Sequence, residues 1–150
     1  MNLLVSLAVA VALLLPVAQT PQTPQTPQST PAPLGPAQGL LAQGDAAGAV
    51  EALAAIVEAE PEHAAAWLLL GVAQQRAGDL DAALEATRRA IEIQGPDPRG
   101  RYRLGVVLGA RGEYDEAFRE LQAVKESGTF NLTNIGVDTD ATALREDPRW

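Results

Sequence analysis

Three arginines, Arg99, Arg101 and Arg103, alternate just after Asp97-Pro98. On a helix Arg99 and Arg103 stand four positions apart on one face, where two guanidiniums would grip a carboxylate or another anion. The start of a helix already carries partial positive charge and favours anions, so cations crowded there demand neutralisation. It comes either from an acidic partner or from the chain's own Glu92, Asp97 or C-terminal carboxylates. Other chemistry is sparse. His63 is the only histidine and there is no cysteine, which excludes disulfides, thiolate metal sites, a cysteine nucleophile and lipid attachment to an N-terminal cysteine. No serine elbow stands ready to partner His63, and Glu58, Glu60 and Glu62 alternate around a helix end in the manner of a solvated face. Asp138 and Asp140 open no calcium loop, because the sixth position would be Ala143 instead of glycine and the twelfth Arg149 instead of glutamate. The residues therefore predict a surface and not a reaction centre: no enzyme, no cofactor, no metal.

The elements that must carry that surface are small. The chain has 150 residues, 47% of them hydrophobic but only 4% aromatic, and its apolar content is mostly alanine and leucine, which favours helices over sheets. A formal charge of −8 opposes a nucleic-acid partner, since phosphate binding needs a basic face. Charge also divides the chain: Met1 to Gly44 contains no Asp, Glu, Lys or Arg. Within it, Leu3 to Leu15 is apolar apart from Ser6, long enough for the core of a secretory signal and short of the ~20 residues of a spanning helix. Residues 1–18 read as an export signal. Met1-Asn2 carries no basic residue, and cleavage after Ala18 would place Pro16 where a small residue is wanted, so the run is either cleaved or kept as a membrane anchor. Residues 19–34 are a spacer: proline at every third position from Pro21 to Pro27 removes donors and fixes φ, giving an extended chain of ~3.1 Å per residue. Export to the periplasm, secretion, or tethering by the N-terminus is the expected location.

From Gly35 onward the chain repeats. Leu70-Gly71 returns at Leu104-Gly105, Gly78 at Gly112 and Ala83 at Ala117, each 34 residues later. The same step upstream aligns Gly44 with Gly78 and Ala49 with Ala83. In each copy, apolar spacing of three and four predicts a helix of about Glu62 to Ala77, a stop at Gly78, and a second helix capped by Asp79 with Leu80, Ala83, Leu84, Thr87, Ala90 and Ile91 inward. Gly71 and Ala83 are small where the two antiparallel helices come closest, and Gly105 with Ala117 repeats that pairing. The first copy cannot begin before Pro36, so its leading helix is cut to about two turns. Residues 129–150 read as a cap, with Phe130, Leu132, Ile135, Val137, Leu144 and Trp150 as its apolar anchors. Asn131-Leu132-Thr133 matches a glycosylation sequon.

Through Trp67, Leu70, Gly71, Ala83, Ala90 and Pro96, and again through Leu104, Gly105, Tyr114, Ala117, Leu121 and Val124, the chain resembles the tetratricopeptide repeat family. Arg101 stands where the family has a bulky apolar residue, and Gln74 and Thr87 stand where it usually has aromatics. The resemblance covers about residues 35–128. It implies an all-α fold, an α-solenoid of antiparallel helix hairpins amounting to two and a half to three repeats, and a non-enzymatic protein-interaction module. Members bind extended peptides or partner helices on the concave face lined by the first helix of each hairpin. On that register the groove is Leu41, Leu68, Val72, Gln75, Arg76, Arg99, Tyr102, Arg103 and Val106, an apolar floor with a basic rim. The implied partner is a protein or peptide that presents an apolar side chain beside an acidic group. Arg99 and Arg103 also resemble two positions with which some members clamp a terminal carboxylate. Leu69 replaces the asparagine of that clamp, and the short first hairpin lacks its other residues, which argues against a chaperone-tail receptor. The alternative is an accessory or regulatory subunit of an envelope enzyme such as a peptidase or cell-wall hydrolase.

Overall fold

The computed structural model describes residues 30–128 and 136–149. The expected export signal, most of the expected spacer, the sequon and the expected anchors Phe130, Leu132, Ile135 and Trp150 lie outside the described residues. Six helices form the body: α1 (Gly35–Ala42), α2 (Ala46–Ala59), α3 (Ala64–Ala77), α4 (Leu80–Gln94), α5 (Pro98–Ala110) and α6 (Tyr114–Ser127). A 3-10 turn (Thr139–Ala141) and the one-turn helix α7 (Thr142–Arg145) follow. Among the described residues there is no strand, and no helix is long and apolar enough to cross a membrane.

The helices pack as three hairpins, α1 with α2, α3 with α4 and α5 with α6, and each hairpin stacks on the next. This is the expected solenoid. Its corners are cut by Gly44, Gly78 and Gly112, whose φ angles of 81°, 90° and 82° lie in the left-handed region that only glycine enters without strain. Immediately beyond, the Asp45 and Asp79 carboxylates accept from the Gly48 and Ala82 N–H groups at 2.9 and 3.1 Å, capping α2 and α4. α1 has eight residues with Pro36 in its first turn, the two turns that the proline allows. Ahead of it the backbone is held at Ala32, whose N–H donates to both oxygens of Glu60 at 3.1 Å and whose carbonyl lies 3.3 Å from His63 Nε2. Glu60 and His63 thus serve a structural turn between α2 and α3. Glu62 lies on a solvated surface as expected, 75% exposed, and pairs there with Arg89 at 2.9 Å.

Helix approach follows from side-chain size. A Cβ on Gly71 would stand 2.6 Å from Thr87 Oγ1 and 3.1 Å from the Ala83 carbonyl oxygen, so the close crossing of α3 and α4 needs a glycine there. Thr87 replaces a bulkier family residue without leaving an unmet group: it is buried and its hydroxyl donates to the Ala83 carbonyl at 2.8 Å. Apolar burial falls into two clusters. One unites α1, α2 and α3 around Leu41, Leu53, Leu70 and Val72. The other unites α4, α5 and α6 around Leu84, Val106, Leu108 and Leu121, and it also contains Ala141 and Leu144.

The C-terminal cap differs from its expected form. Leu144 is an anchor, with no exposure, but Val137 is 79% exposed and anchors nothing. Its place is taken by Ala141, whose small apolar area gives no sign in the sequence that it is an anchor. The 3-10 turn and α7 pack on α5, the first helix of the last hairpin, and Asp140 of the turn reaches α3 through its carboxylate and its main-chain oxygen.

Candidate functional site

The three first helices carry the nine groove residues, and the structure sorts them into four groups. Leu41, Val72 and Val106 are buried within the two apolar clusters and form the body of the protein more than a free floor. Leu68, on α3, is partly exposed and is the apolar residue of the set that the clusters do not absorb. Arg99 is exposed at the first turn of α5, and no carboxylate among the described residues pairs with its guanidinium. Gln75, Arg76, Tyr102 and Arg103 converge, and what they converge on is the chain's own segment from Asp138 to Leu144.

That convergence has a definite geometry. Arg76 forks onto Asp140, Nε to Oδ1 and Nη2 to Oδ2, both at 3.0 Å. Arg103 Nη1 donates to Asp140 Oδ2 at 3.2 Å and stands 3.6 Å from Asp138 Oδ2. The Tyr102 hydroxyl donates to Asp138 Oδ2 at 2.5 Å, and Gln75 Nε2 donates to the main-chain oxygen of Asp140 at 2.9 Å. The Asp140 side chain is only 7% exposed, so this carboxylate points into the protein and is met by two cations from two helices. Its hydrogen bonds hold the Arg76 guanidinium above its ordinary value, against the opposing effect of burial. Burial first, then the hydrogen bond to Asp138, push the Tyr102 phenol well above the usual tyrosine range.

Local sequence explains why the segment adopts this form. Asp138 Oδ1 accepts from the Asp140 N–H at 2.9 Å, and Arg145 Nη1 donates to the Asp138 carbonyl at 2.7 Å, which folds the strand of residues into a single turn. One helical turn later Leu144 arrives over Gly109, where an added Cβ would stand 2.5 Å from Leu144 Cδ2. Gly109 is the receiver of Leu144 and is not among the expected groove residues. The sequence signal is a third glycine in α5 after Gly100 and Gly105, and only the position of the tail gives it meaning.

The basic cluster that opened the question resolves unevenly. Arg103 is neutralised by the C-terminal carboxylates, Arg101 pairs with Glu120 of α6 at 2.9 Å, and Asp97 caps α5 by accepting from the Arg99 and Gly100 N–H groups at 2.8 and 3.3 Å. The helix start thus has its anion in Asp97, as the macrodipole favours. Elsewhere, an open hollow of about 430 Å³ at the start of α6 is lined by Gly112, Glu113, Tyr114, Asp115, Glu116, Arg119 and Arg149. Arg149 closes on Asp115 there and lies 4.9 Å above the Phe118 ring, so the hollow is an ion-paired surface recess away from the converging set. Among the described residues no three carboxylate or histidine side chains stand together as a metal would require.

Comparison with known proteins agrees with this architecture. Residues 36–98 match the sequence model of the tetratricopeptide repeat. Over 54 residues the chain is 44% identical to a TPR repeat-containing protein of Pseudomonas aeruginosa, an overlap that is 36% of this chain and 51% of that protein. The chain thus spans about half the length of the curated relative it matches. In three dimensions it is similar to the Yersinia enterocolitica type III secretion chaperone SycD, solved in complex with a peptide of the translocator YopD. The TM-score is 0.61 at 19% identity, covering 75% of this chain and 86% of that one. At that identity the likeness is one of fold.

Proposed function

We propose that the chain, whose tetratricopeptide-type solenoid supports a role in protein interaction, is an exported or N-terminally tethered module that binds an extended peptide on the face of α3 and α5. One observation carries the reading: that face already receives a stretch of polypeptide, through a guanidinium fork, a phenol, a side-chain amide and a leucine recess. Donors arranged around a main-chain carbonyl and a carboxylate are the equipment of peptide recognition. The chaperone whose fold it shares was solved with a peptide, which lends the reading support by analogy. No catalytic role is assigned to any residue.

Panning a displayed library of random peptides against the purified full chain tests it. Enriched peptides should bind the natural chain, and Leu68→Glu should weaken them at least about tenfold, the cost of setting a charge against an apolar contact. A library that yields no binder, or binders indifferent to Leu68→Glu and to changes on α5, overturns the reading. Export is tested separately: Met1 to Pro33 fused to a reporter active only outside the cytoplasm should give activity that deletion of Leu3 to Leu15 abolishes.

A further inference from the structure

We infer that the segment Asp138–Leu144 is an internal ligand of the α3–α5 face, and that the external partner of this face is a peptide with the same pattern, Asp-x-Asp-Ala-x-x-Leu. The inference rests on the reading that this face binds peptides, and it names what is bound.

Every fixed place in the pattern has a receiver. The first aspartate takes the Tyr102 hydroxyl, and the second is forked by Arg76 and touched by Arg103. A planar two-donor fork reads a carboxylate and rejects an amide, which would present one N–H group to a cation. The small residue is required because Ala141 is fully enclosed, and the leucine because Gly109 leaves open the space that Leu144 fills. Gln75 reads the main chain at the second aspartate and is indifferent to side chain.

A segment that only sealed the last hairpin would need an apolar inner side and a polar outer one. This one turns two carboxylates inward. With the Asp140 carboxylate buried and the guanidiniums of Arg76 and Arg103 still partly in water, these ion pairs stabilise little, but an inward carboxylate fixes register and penalises a wrong occupant, which is the character of a recognition contact. The contacts join residues 64 and 37 positions apart, Arg76 and Arg103 to Asp140. Because the segment is covalently tethered, it meets its receivers at an effective concentration on the order of millimolar, so an outside peptide of equal intrinsic affinity binds weakly until the tail is released. Its apparent affinity falls by the fraction of chains that are open.

The experiment uses the full chain and one probe, a labelled synthetic peptide spanning Gly136 to Arg149. Asp138→Asn with Asp140→Asn in the protein keeps the shape of the tail and removes its charge. Fluorescence anisotropy should show the probe binding this variant at least about tenfold more tightly than the natural chain. A probe with lysine at both aspartate places should not bind, and adding Arg76→Ala and Arg103→Ala to the variant should abolish uptake. Circular dichroism checks that the variant stays helical; if it does not, the single change Asp138→Asn replaces it, with the same expected direction. A helical variant that ignores the probe while still binding library peptides overturns this inference and leaves the peptide-binding reading standing. If it ignores the probe and the library alike, both fall. A variant that pairs with a second copy without taking up probe also overturns it.

Discussion

The first and last hairpins solve the same problem with different means. Around α1, α2 and α3, stacking of successive helices is sufficient: Leu41, Leu53, Leu70 and Val72 are enclosed by neighbouring repeats, and Leu68 remains partly exposed on the inner face. Around α5 and α6 there is no fourth hairpin among the described residues, and the inner face is enclosed by Ala141 and Leu144 of the chain's own tail. A repeat cannot bury its apolar side alone, so an array ends either in a partner or in a cap. The difference teaches that leucine content does not distinguish a groove from a core here; what lies opposite each leucine does.

Predictions that break or sharpen this contrast begin with the element both halves share. Ala83 is fully buried against the close crossing of α3 and α4, and Ala83→Trp should cost on the order of 4 kcal/mol or more, since neither helix can retreat without losing contacts on its other side. Thermal denaturation followed by circular dichroism checks it, and an unchanged melting temperature would show that the repeat register is wrong. Next comes one chemical change in two places. Leu144→Ala should cost about 3 kcal/mol, as a truncation in a packed interior does, whereas Leu68→Ala should cost under about 1 kcal/mol. Equal losses in urea titrations of the two variants would erase the distinction between the halves.

A smaller effect of opposite sign is expected at the end of α3. The Oε1 atom of Gln74 is buried without a partner among the described residues, and Gln74→Leu should raise stability by about 1 kcal/mol by removing an unmet acceptor. The denaturation midpoint checks this, and a lower midpoint would mean that the amide meets a group it is here denied. The last prediction has no consequence at neutral pH. A raised phenol value in the folded state means that the stability carried by neutral Tyr102 is complete below the ordinary value of ~10 and drains away as pH climbs through the folded one. In the Tyr114→Phe chain, ultraviolet titration should find the remaining phenol still neutral where free tyrosine is half ionised. Asp138→Asn should bring that midpoint down, and no movement would detach the tail from Tyr102.

Much of the fold was legible because it depends on residue types that have few substitutes. Glycines in left-handed corners, aspartates at helix starts and small residues at helix crossings each leave a mark at the repeat spacing, and Gly78, Asp79, Gly71 and Ala83 stand where those marks place them. The site was legible in part. Arg103 and Tyr102 stand out in the sequence as a basic and aromatic pair, and in the structure they meet Asp140 and Asp138 of the chain's own tail. The sequence also offers the chain's own C-terminal carboxylates as neutralising groups, and Asp138 and Asp140 supply them to Arg103. Helical periodicity assigns a face to a residue but says nothing of what returns from 37 or 64 positions away, and Val137 was misread as an anchor for that reason. Leu41 and Val106 share the limitation: register places them on the first helices, while neighbouring repeats and the tail decide that they are enclosed.

The bonds at Ala32 bear on mechanics. Any pull arriving along the backbone from Thr30 meets, before α1, a residue fastened through both of its main-chain polar groups, the Ala32 N–H to Glu60 and the Ala32 carbonyl beside the His63 ring. Load is therefore passed to the turn between α2 and α3, which Trp67 braces further by donating its indole N–H to the Pro61 carbonyl at 2.8 Å. The short, two-turn α1 is bypassed, and tension on the N-terminal side reaches the solenoid at the junction of its first and second hairpins instead of peeling it from the end.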